Sequence, residues 1–312
     1  MKIKKVGIVA LSCQIKDSNR NKGVEKSLEI LRQKGVAIEF GDSYLDYKDQ
    51  FVASTSSRVN DIHKFFEDTN VDFIMNLTGG YNCNEILDQL DYDLIRKNPK
   101  PFVGYSDITA INLALFCKSG VETINGPMLV DSAFDDKAIE RLLEFFESEN
   151  KEFENFESYY TSYKSKSFLS LTIKLIEGKK LTCEGNIIVG NLSTFNLLLG
   201  TEYVPDLTNK ILFLEYDKEE SKALPSIQRM LWQIRQNGVF DKIDGLVFGL
   251  LEPEVQSEES ELNLSIKKIL EDVTAGFNFP VLYNLQFGHI YPSLILQNGS
   301  KIKIENSKIR LL

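Results

Sequence analysis

Two hydrophobic periods alternate through roughly the first 130 residues, and this alternation constrains the fold more than any other feature of the sequence. Short β-rich runs are separated by segments whose apolar residues recur every three or four positions, as on one face of a helix. Repeated β-α-β units of this kind predict an α/β domain with a parallel sheet, whose ligand site lies at the carboxyl ends of the strands. The predicted strands are Lys5–Ala10, Val36–Phe40, Asp72–Leu77, Pro101–Gly104 and Glu122–Asn125.

The segments between these strands carry helical patterns. One predicted helix presents Val24, Leu28 and Leu31 on one face, and Gly35 is well placed to end it. A second follows the amphipathic spacing with Val59, Ile62, His63 and Phe66. The segment Asp107–Cys117 is apolar on most sides, which predicts a buried helix, and Ala138–Phe146 predicts a more charged one.

The second half of the chain has a different character, and we divide the sequence at two places. Residues 1–150 form the predicted N-terminal domain, 151–180 a linker or flap rich in acids, lysines and aromatics, and 181–312 the C-terminal domain. Asn298-Gly299, between two apolar runs, predicts a β-hairpin. The other predicted elements of this half are strands at Lys210–Glu215, Gly245–Leu250 and Pro280–Leu285 and a helix at Ser226–Gln236.

Composition excludes several classes of function. The formal net charge of -9 and the pI of about 5.0 are unfavourable for binding a nucleic-acid polymer. The apolar run Val6–Leu11 is too short for a secretory signal, and no stretch is long enough to cross a membrane. The 4 cysteines are scattered without a C-x-x-C pair, so we expect reduced thiols and a cytoplasmic location. With 2 histidines far apart, we expect no metal site.

The run Pro101–Thr109 is the most informative segment for chemistry. A short apolar strand leads into a small-residue turn and then directly into a buried helix, with Ser106 at the corner. A serine there exposes its hydroxyl at the end of the sheet, beside backbone N–H groups that stabilise an oxyanion. The alternative is that Ser106 only caps the helix.

Two glycines follow the third predicted strand, in Leu77-Thr78-Gly79-Gly80-Tyr81-Asn82. Paired glycines allow positive φ and a close approach of the backbone to a ligand, and one N–H could complete an oxyanion hole with that of Asp107. A simple connecting loop is the alternative.

A serine nucleophile needs a general base, and histidine is scarce enough to restrict the choice. His63 lies on the apolar face of a helix, where a structural role is the more common one. His289 follows a predicted strand in a glycine-containing turn, where catalytic side chains often lie. Glu215 ends an apolar strand and is a candidate to orient the imidazole, although it could equally be a solvated strand terminus.

Several runs together resemble the LD-carboxypeptidase family of serine peptidases over nearly the whole chain. The similar segments are Gly79–Asn82, Asn98–Ala110, Gly126–Met128, Gly190–Leu192, Gly200-Thr201, Ile211–Glu215 and Phe287–His289, in the same order as in the family.

The resemblance implies a flavodoxin-like N-terminal domain and a smaller, mixed α/β swivelling C-terminal domain. It implies that Ser106 is the nucleophile, that His289 is the general base and acid, and that Glu215 orients it, with an acyl-enzyme on Ser106. It also implies a homodimer, a small-molecule substrate and no cofactor. The backbone N–H groups of Gly80 and Asp107 would form the oxyanion hole, and Gly79, Tyr81, Asn82 and Asn191 would bind substrate.

Two substrate branches of this family remain open. One removes terminal D-alanine from murein tetrapeptides, usually with an arginine before the double glycine, where this chain has Thr78. The other resembles the microcin C self-immunity peptidase, which cuts the amide of aminoacyl- or peptidyl-nucleotide antibiotics, and the sequence favours this branch. That branch stacks a loop tryptophan on adenine, whereas Trp232 here lies in a predicted helix. Tyr159, Tyr160 or Tyr163 could provide the stacking surface instead, but the favoured interpretation is that they are ordinary packing residues of the flap. A non-enzymatic module that binds a small ligand is the third reading.

Overall fold

The computed structural model describes residues 2–13, 17–46, 52–148, 173–217, 224–250 and 261–312. The chain divides into two compact units, and neither is continuous in sequence. The first contains Met1–Glu149, Thr201–Pro205 and Tyr291–Asn298, and the second contains Asn150–Gly200, Asp206–Ile290 and Gly299–Leu312. Two short segments that the sequence-based division assigns to the C-terminal domain therefore belong to the first unit.

Sheet A, in the first unit, confirms the predicted parallel α/β fold. Its described strands run in the order β2-β1-β3-β4-β5-β11, and the first five are parallel. The order 2-1-3-4-5 is that of flavodoxin-like folds. β11 is antiparallel to β5. The strands are β1 Lys5–Val9, β2 Ala37–Phe40, β3 Phe73–Asn76, β4 Phe102–Val103, β5 Thr123–Asn125 and β11 Leu296–Gln297.

The helices of the first unit follow the predicted periodicity. The apolar residues Val24, Leu28 and Leu31 are buried, and Gly35 takes φ 75° just after that helix ends. The α-helices are α1 Ser18–Gln33, α2 Asp42–Asp46, α3 Thr55–Glu67, α4 Tyr92–Lys97, α5 Thr109–Ser119 and α6 Ala138–Glu147. The 3₁₀ helices are Cys83–Gln89, Ser106–Ile108 and Leu129–Ala133.

Sheet B, in the second unit, is mixed. In the part of the unit that is described, its order is β13-β12-β7-β8-β9-β10-β6, with β7, β8, β9 and β10 parallel. β6, which lies inside the predicted linker, is antiparallel to β10. The strands are β6 Lys174–Leu175, β7 Thr182–Asn191, β8 Lys210–Glu215, β9 Gly245–Gly249, β10 Val281–Leu285, β12 Lys301–Glu305 and β13 Lys308–Leu311. The helices are α7 Leu192–Leu198, α8 Leu224–Gln236 and α9 Glu261–Val273.

The predicted hairpin at Asn298-Gly299 is wrong. The strands on either side of it belong to different sheets, because β11 pairs with β5 and β12 pairs with β7 and β13. Asn298 is held instead by Thr123, which accepts hydrogen bonds from its backbone N–H at 2.9 Å and from its side chain at 3.0 Å. The hairpin of this region is β12–β13, which turns through Asn306.

Three further predictions concern the cysteines, membrane-spanning helices and the predicted flap. The four cysteines lie in the described part of the chain and form no disulfide there. Among the described residues, no helix combines the length and apolar character needed to cross a membrane. Most of the predicted flap, together with Tyr159, Tyr160 and Tyr163, lies outside the described residues.

Candidate active site

Ser106 lies at a sharp corner between β4 and the short 3₁₀ helix that precedes α5. It has φ 64°, in the left-handed region that residues other than glycine rarely adopt. Ser106 is not the N-cap of either helix: Tyr105 holds that position for the 3₁₀ helix and Ile108 for α5. Because N-cap residues usually have extended backbone, the capping alternative does not describe this serine.

The corner is fixed by two local contacts. A Cβ on Gly104 would lie 2.8 Å from Ile108 Cγ2, so only glycine fits between β4 and the start of the helix. The buried side chain of Asn112, one turn into α5, donates to the Gly104 carbonyl at 2.8 Å. The sequence therefore builds a sharp strand-to-helix elbow from residues on both sides of Ser106.

The double glycine after β3 lies directly against Ser106. A Cβ on Gly79 would come within 2.8 Å of Ser106 Cβ and 2.9 Å of Ser106 Oγ. A Cβ on Gly80 would be 2.6 Å from Cys13 Sγ and 2.7 Å from Cys13 N. Neither glycine has positive φ, which corrects half of the sequence-based reasoning: the pair is needed for space, not for backbone freedom.

The residues that flank Gly79-Gly80 have contrasting environments. Thr78, at the position where an arginine is usual in one branch of the family, is buried. The Tyr81 side chain is 70% exposed. Asn82 donates from its side chain to Glu85 Oε1 at 2.8 Å and from its backbone N–H to Asp107 Oδ2 at 2.8 Å. Sequence reasoning assigned only the backbone of Asp107 to the site and missed this carboxylate.

Glu215 and His289 are brought together in the second unit. Glu215, at the carboxyl end of β8, is 1% exposed, and its Oε2 lies 2.7 Å from His289 Nδ1. The same oxygen accepts the backbone N–H of His289 at 3.2 Å. Gly288 has φ 84°, and a Cβ there would overlap the Glu215 carboxylate. Glycine before the histidine is therefore required both by backbone conformation and by space.

Asn191 lies at the carboxyl end of β7, beside Glu215 in the parallel register. Its Oδ1 accepts the backbone N–H groups of Ser193 and Thr194 at 3.1 Å each, which makes it the N-cap of α7. Asn191, which the sequence predicts to bind substrate, thus has a structural role as a helix cap, and it lies at the same end of the sheet as Glu215.

The remaining predicted residues are distributed as follows. His63 Nε2 accepts the backbone N–H of Asp91 at 2.8 Å, so this histidine has the structural role that its position on α3 suggested. Trp232 lies in α8, with the Arg235 guanidinium 5.0 Å from its ring centroid. Ser106 and the Gly79–Asn82 loop belong to the first unit, and Glu215, His289 and Asn191 to the second.

Within each unit, the site residues follow parallel strands at their carboxyl ends, as expected for an α/β protein. A strained serine at a strand-to-helix elbow is typical of serine hydrolases. Two family models match the chain: the LD-carboxypeptidase N-terminal domain over residues 6–126 and the LD-carboxypeptidase C-terminal domain over residues 184–304. The chain therefore belongs to the LD-carboxypeptidase family of serine peptidases.

Relatives carry the names of both substrate branches. The probable murein peptide carboxypeptidase of Bacillus subtilis (strain 168) is 30% identical, over 92% of this chain and 85% of the relative. The microcin C7 self-immunity protein MccF of Escherichia coli is 29% identical, over 90% of this chain and 84% of the relative. Identity alone therefore does not separate the branches.

Solved structures agree with the fold over the whole chain. The crystal structure of an MccF-like protein from Bacillus anthracis str. Ames matches with a TM-score of 0.83 and 31% identity, covering 100% of this chain and 96% of the other. A mutant of the microcin C7 self-immunity protein MccF, solved in complex with adenosine monophosphate, matches with a TM-score of 0.82 and 25% identity at the same coverage.

Proposed function

We propose that this protein hydrolyses an amide bond through a covalent intermediate on Ser106, with His289 as general base and acid and Glu215 as its orienting carboxylate. The observation that carries the proposal is the backbone of Ser106. A left-handed non-glycine residue costs about 1–2 kcal/mol. Hydrolases of the elbow type accept this cost because it exposes the serine hydroxyl at the end of the sheet.

The Glu215–His289 pair supports the assignment of the base. A buried carboxylate that bonds to Nδ1 fixes the imidazole tautomer with the proton on Nδ1, so Nε2 is the nitrogen that exchanges protons with substrate. The second bond, from the His289 backbone N–H to the same Oε2, holds the ring and its backbone as one unit. The carboxylate also stabilises the imidazolium that forms when the base accepts a proton.

The reaction follows from these roles. Ser106 Oγ attacks the carbonyl carbon of the scissile amide while His289 Nε2 takes the hydroxyl proton. Backbone N–H groups of Gly80 and Asp107 stabilise the resulting oxyanion. The intermediate collapses when the imidazolium gives its proton to the leaving nitrogen, which leaves an acyl-enzyme. Water, deprotonated by His289, then attacks the ester and releases Ser106.

For the substrate, we propose the amide of an aminoacyl- or peptidyl-nucleotide of the microcin C type. The support is the buried Thr78 before the double glycine, where the murein branch usually has an arginine to pair with a substrate carboxylate. Gly79, Tyr81, Asn82 and Asn191 are the proposed contacts with substrate. The cytoplasmic location and the homodimer implied by the resemblance stay predictions.

Removal of terminal D-alanine from murein tetrapeptides is the competing activity, since the Bacillus subtilis relative is named for murein peptides. A mass-spectrometric assay with two substrates separates the two activities: a murein tetrapeptide ending in D-alanine, and an aminoacyl-sulfamoyl adenosine. We expect cleavage of the adenosine conjugate and its loss by at least about 10³-fold in Ser106→Ala. Loss of D-alanine alone would assign the protein to the murein branch instead.

Matched controls separate the proposed residues from general damage. Ser119→Ala changes a buried serine at the far end of α5, and His63→Gln changes the other histidine; both should keep turnover within about twofold. Residues of one catalytic unit are strongly non-additive, so Ser106→Ala/His289→Gln should be little slower than Ser106→Ala. Full activity of Ser106→Ala would refute the mechanism through this serine. A wild-type protein that binds the adenosine conjugate and leaves both substrates uncleaved would instead support a binding module.

A further inference from the structure

Two buried charges hold one peptide of the loop that contacts Ser106. The side chain of Arg58, in α3, is 1% exposed, and its Nη1 donates to the Asn82 carbonyl at 2.9 Å and to the Leu11 carbonyl at 3.1 Å. Asp107, the residue after Ser106, is 4% exposed. Its Oδ2 accepts the backbone N–H groups of Asn82 at 2.8 Å and Cys83 at 3.0 Å.

The backbone of Asn82 is thus hydrogen-bonded at both of its polar groups, the N–H to a carboxylate and the carbonyl to a guanidinium. We call Arg58 and Asp107 with these bonds the Asn82 clamp. Ser12, which follows β1, adds a third bond to Asp107 Oδ2 at 2.6 Å through its hydroxyl. The clamp therefore joins the loops that follow β1 and β3 to the elbow that follows β4.

Burying these charges costs free energy that a well-packed apolar core avoids. Here the charged groups bond mainly to backbone atoms of loops that carry no regular sheet hydrogen bonds of their own, and such charge-assisted bonds are short and directional. The loop they fix is the one in which Gly79 packs within van der Waals contact of the Ser106 side chain. A displacement of this loop would change the distance between Ser106 Oγ and the backbone N–H of Gly80.

We propose that Arg58 and the side chain of Asp107 are positioning residues for acyl transfer, which hold the Gly79–Asn82 loop at the distance from Ser106 that the oxyanion requires. The inference rests on the proposed hydrolase function. A misplacement of about 1 Å at a reacting centre can cost about 100-fold in rate. The clamp acts on the transition state, because the oxyanion forms only after attack.

The test uses Asp107→Asn and Arg58→Lys in the full chain, with whichever substrate the wild type cleaves. Each variant should lower kcat by about 10- to 100-fold while KM changes less than about threefold. The second-order rate of Ser106 labelling by a fluorophosphonate, whose phosphoryl oxygen also needs the oxyanion donors, should fall by a similar factor. A wild-type kcat in both variants overturns the inference, and so does a change confined to KM.

Asp135→Asn is the matched control. Asp135 pairs with Arg141, both are 8% exposed, and both lie in the first unit as the clamp does. This variant neutralises a buried carboxylate, as Asp107→Asn does, so it should lose stability comparably but keep kcat within about twofold, measured well below its unfolding transition. An equal fall in kcat in Asp135→Asn would mean that general destabilisation causes the effect, and would overturn the clamp.

A milder variant decides the question if the clamp variants fail to fold. Ser12→Ala removes one of the bonds to Asp107 and leaves the charge in place, and kcat should fall by about three- to tenfold at unchanged KM; an unchanged kcat overturns the inference. Failure of the proposed function looks different: Ser106→Ala would then keep its activity. If Ser106→Ala is inactive and the clamp variants are fully active, the positioning role of the clamp is refuted and the hydrolase function is not.

Discussion

At the scale of single residues, backbone conformation and space explain the site more than side-chain chemistry does. Ser106 holds a left-handed φ of 64°, and a methyl group at Gly79 or at Gly288 would collide with Ser106 or with Glu215, respectively. Strain of this kind persists only when the surroundings enforce it. Here the close packing of Gly104 against Ile108 and the hydrogen bond from Asn112 to the Gly104 carbonyl provide that enforcement.

The strain at Ser106 leads to a stability prediction. Ser106→Gly should have a larger free energy of unfolding than Ser106→Ala, by about 0.5–1 kcal/mol, because glycine accepts φ 64° without a Cβ penalty. Both variants lack the hydroxyl, so neither should turn over substrate. Urea unfolding monitored by circular dichroism measures the difference. As a control inside α3, Ser57→Ala should have a larger free energy of unfolding than Ser57→Gly. A Ser106→Ala that is more stable than Ser106→Gly would show that the elbow is unstrained.

At the scale of elements, α3 provides two side chains that form hydrogen bonds to the backbone of neighbouring segments. Arg58, near its beginning, holds the Asn82 peptide, and His63, one to two turns later, accepts the N–H of Asp91, the N-cap of α4. Burial lowers the pKa of His63, and the nearby carboxylates of Asp91 and Glu67 oppose this only in part. The neutral imidazole is therefore the form that the folded protein favours.

The lowered pKa of His63 gives a pH dependence of defined sign. As the pH falls through about 6.5, the unfolded chain binds a proton at this residue more readily than the folded protein does. The free energy of unfolding therefore decreases as the pH is lowered, until the pH is below the folded pKa as well. His63→Gln keeps an acceptor for Asp91 but does not titrate. The wild type should therefore lose stability relative to His63→Gln between about pH 7 and pH 5, and parallel curves would contradict the assignment.

At the scale of the whole molecule, the chain returns to the first unit at Tyr291–Asn298, between two stretches of the second unit. Tyr291, the first residue of the returning segment, donates from its hydroxyl to Asp131 Oδ1 at 3.0 Å and lies 2.6 Å from the Tyr105 hydroxyl. Tyr105 also donates to Asp131 Oδ1 at 3.0 Å. Burial raises the pKa of both tyrosines well above the ordinary value, so the hydroxyls stay protonated donors.

Removing one of these hydroxyls should destabilise the first unit. Tyr291→Phe leaves the buried Asp131 carboxylate with one donor fewer, which should cost roughly 1–3 kcal/mol in the free energy of unfolding. Tyr105→Phe should cost a similar amount, and the double variant should be less than additive because both hydroxyls share Asp131. The exposed Tyr81→Phe serves as control and should stay within about 0.5 kcal/mol in urea unfolding. Additive costs would contradict a shared network.

Local periodicity was sufficient for much of the fold. The five predicted strands of the first half agree with β1 to β5 within two residues at each end, since apolar runs, glycines and helix patterns alternate there without ambiguity. The strand-to-helix corner at Ser106 is visible for the same reason. Glu215 and His289 could be placed at strand ends, but their pairing came only from a resemblance.

Non-local contacts explain what the sequence could not predict. Asn298-Gly299 has the composition of a hairpin, yet Thr123, far away in the chain, decides where Asn298 is held. Ser12 and Arg58 give no local signal either, because a single serine after a strand and a single arginine in a helix are common. Their importance arises from the Asn82 peptide and from Asp107, which the fold brings to them.

The division of the chain into interleaved segments also limits how such a protein can be recombined in evolution or in the laboratory. Each unit is composed of three stretches of sequence, so a single crossover near residue 150 exchanges neither unit intact. It would transfer an N-terminal module without β11, the strand that pairs with β5. A chimaera that exchanges one unit intact therefore needs breakpoints at the ends of all three of its stretches.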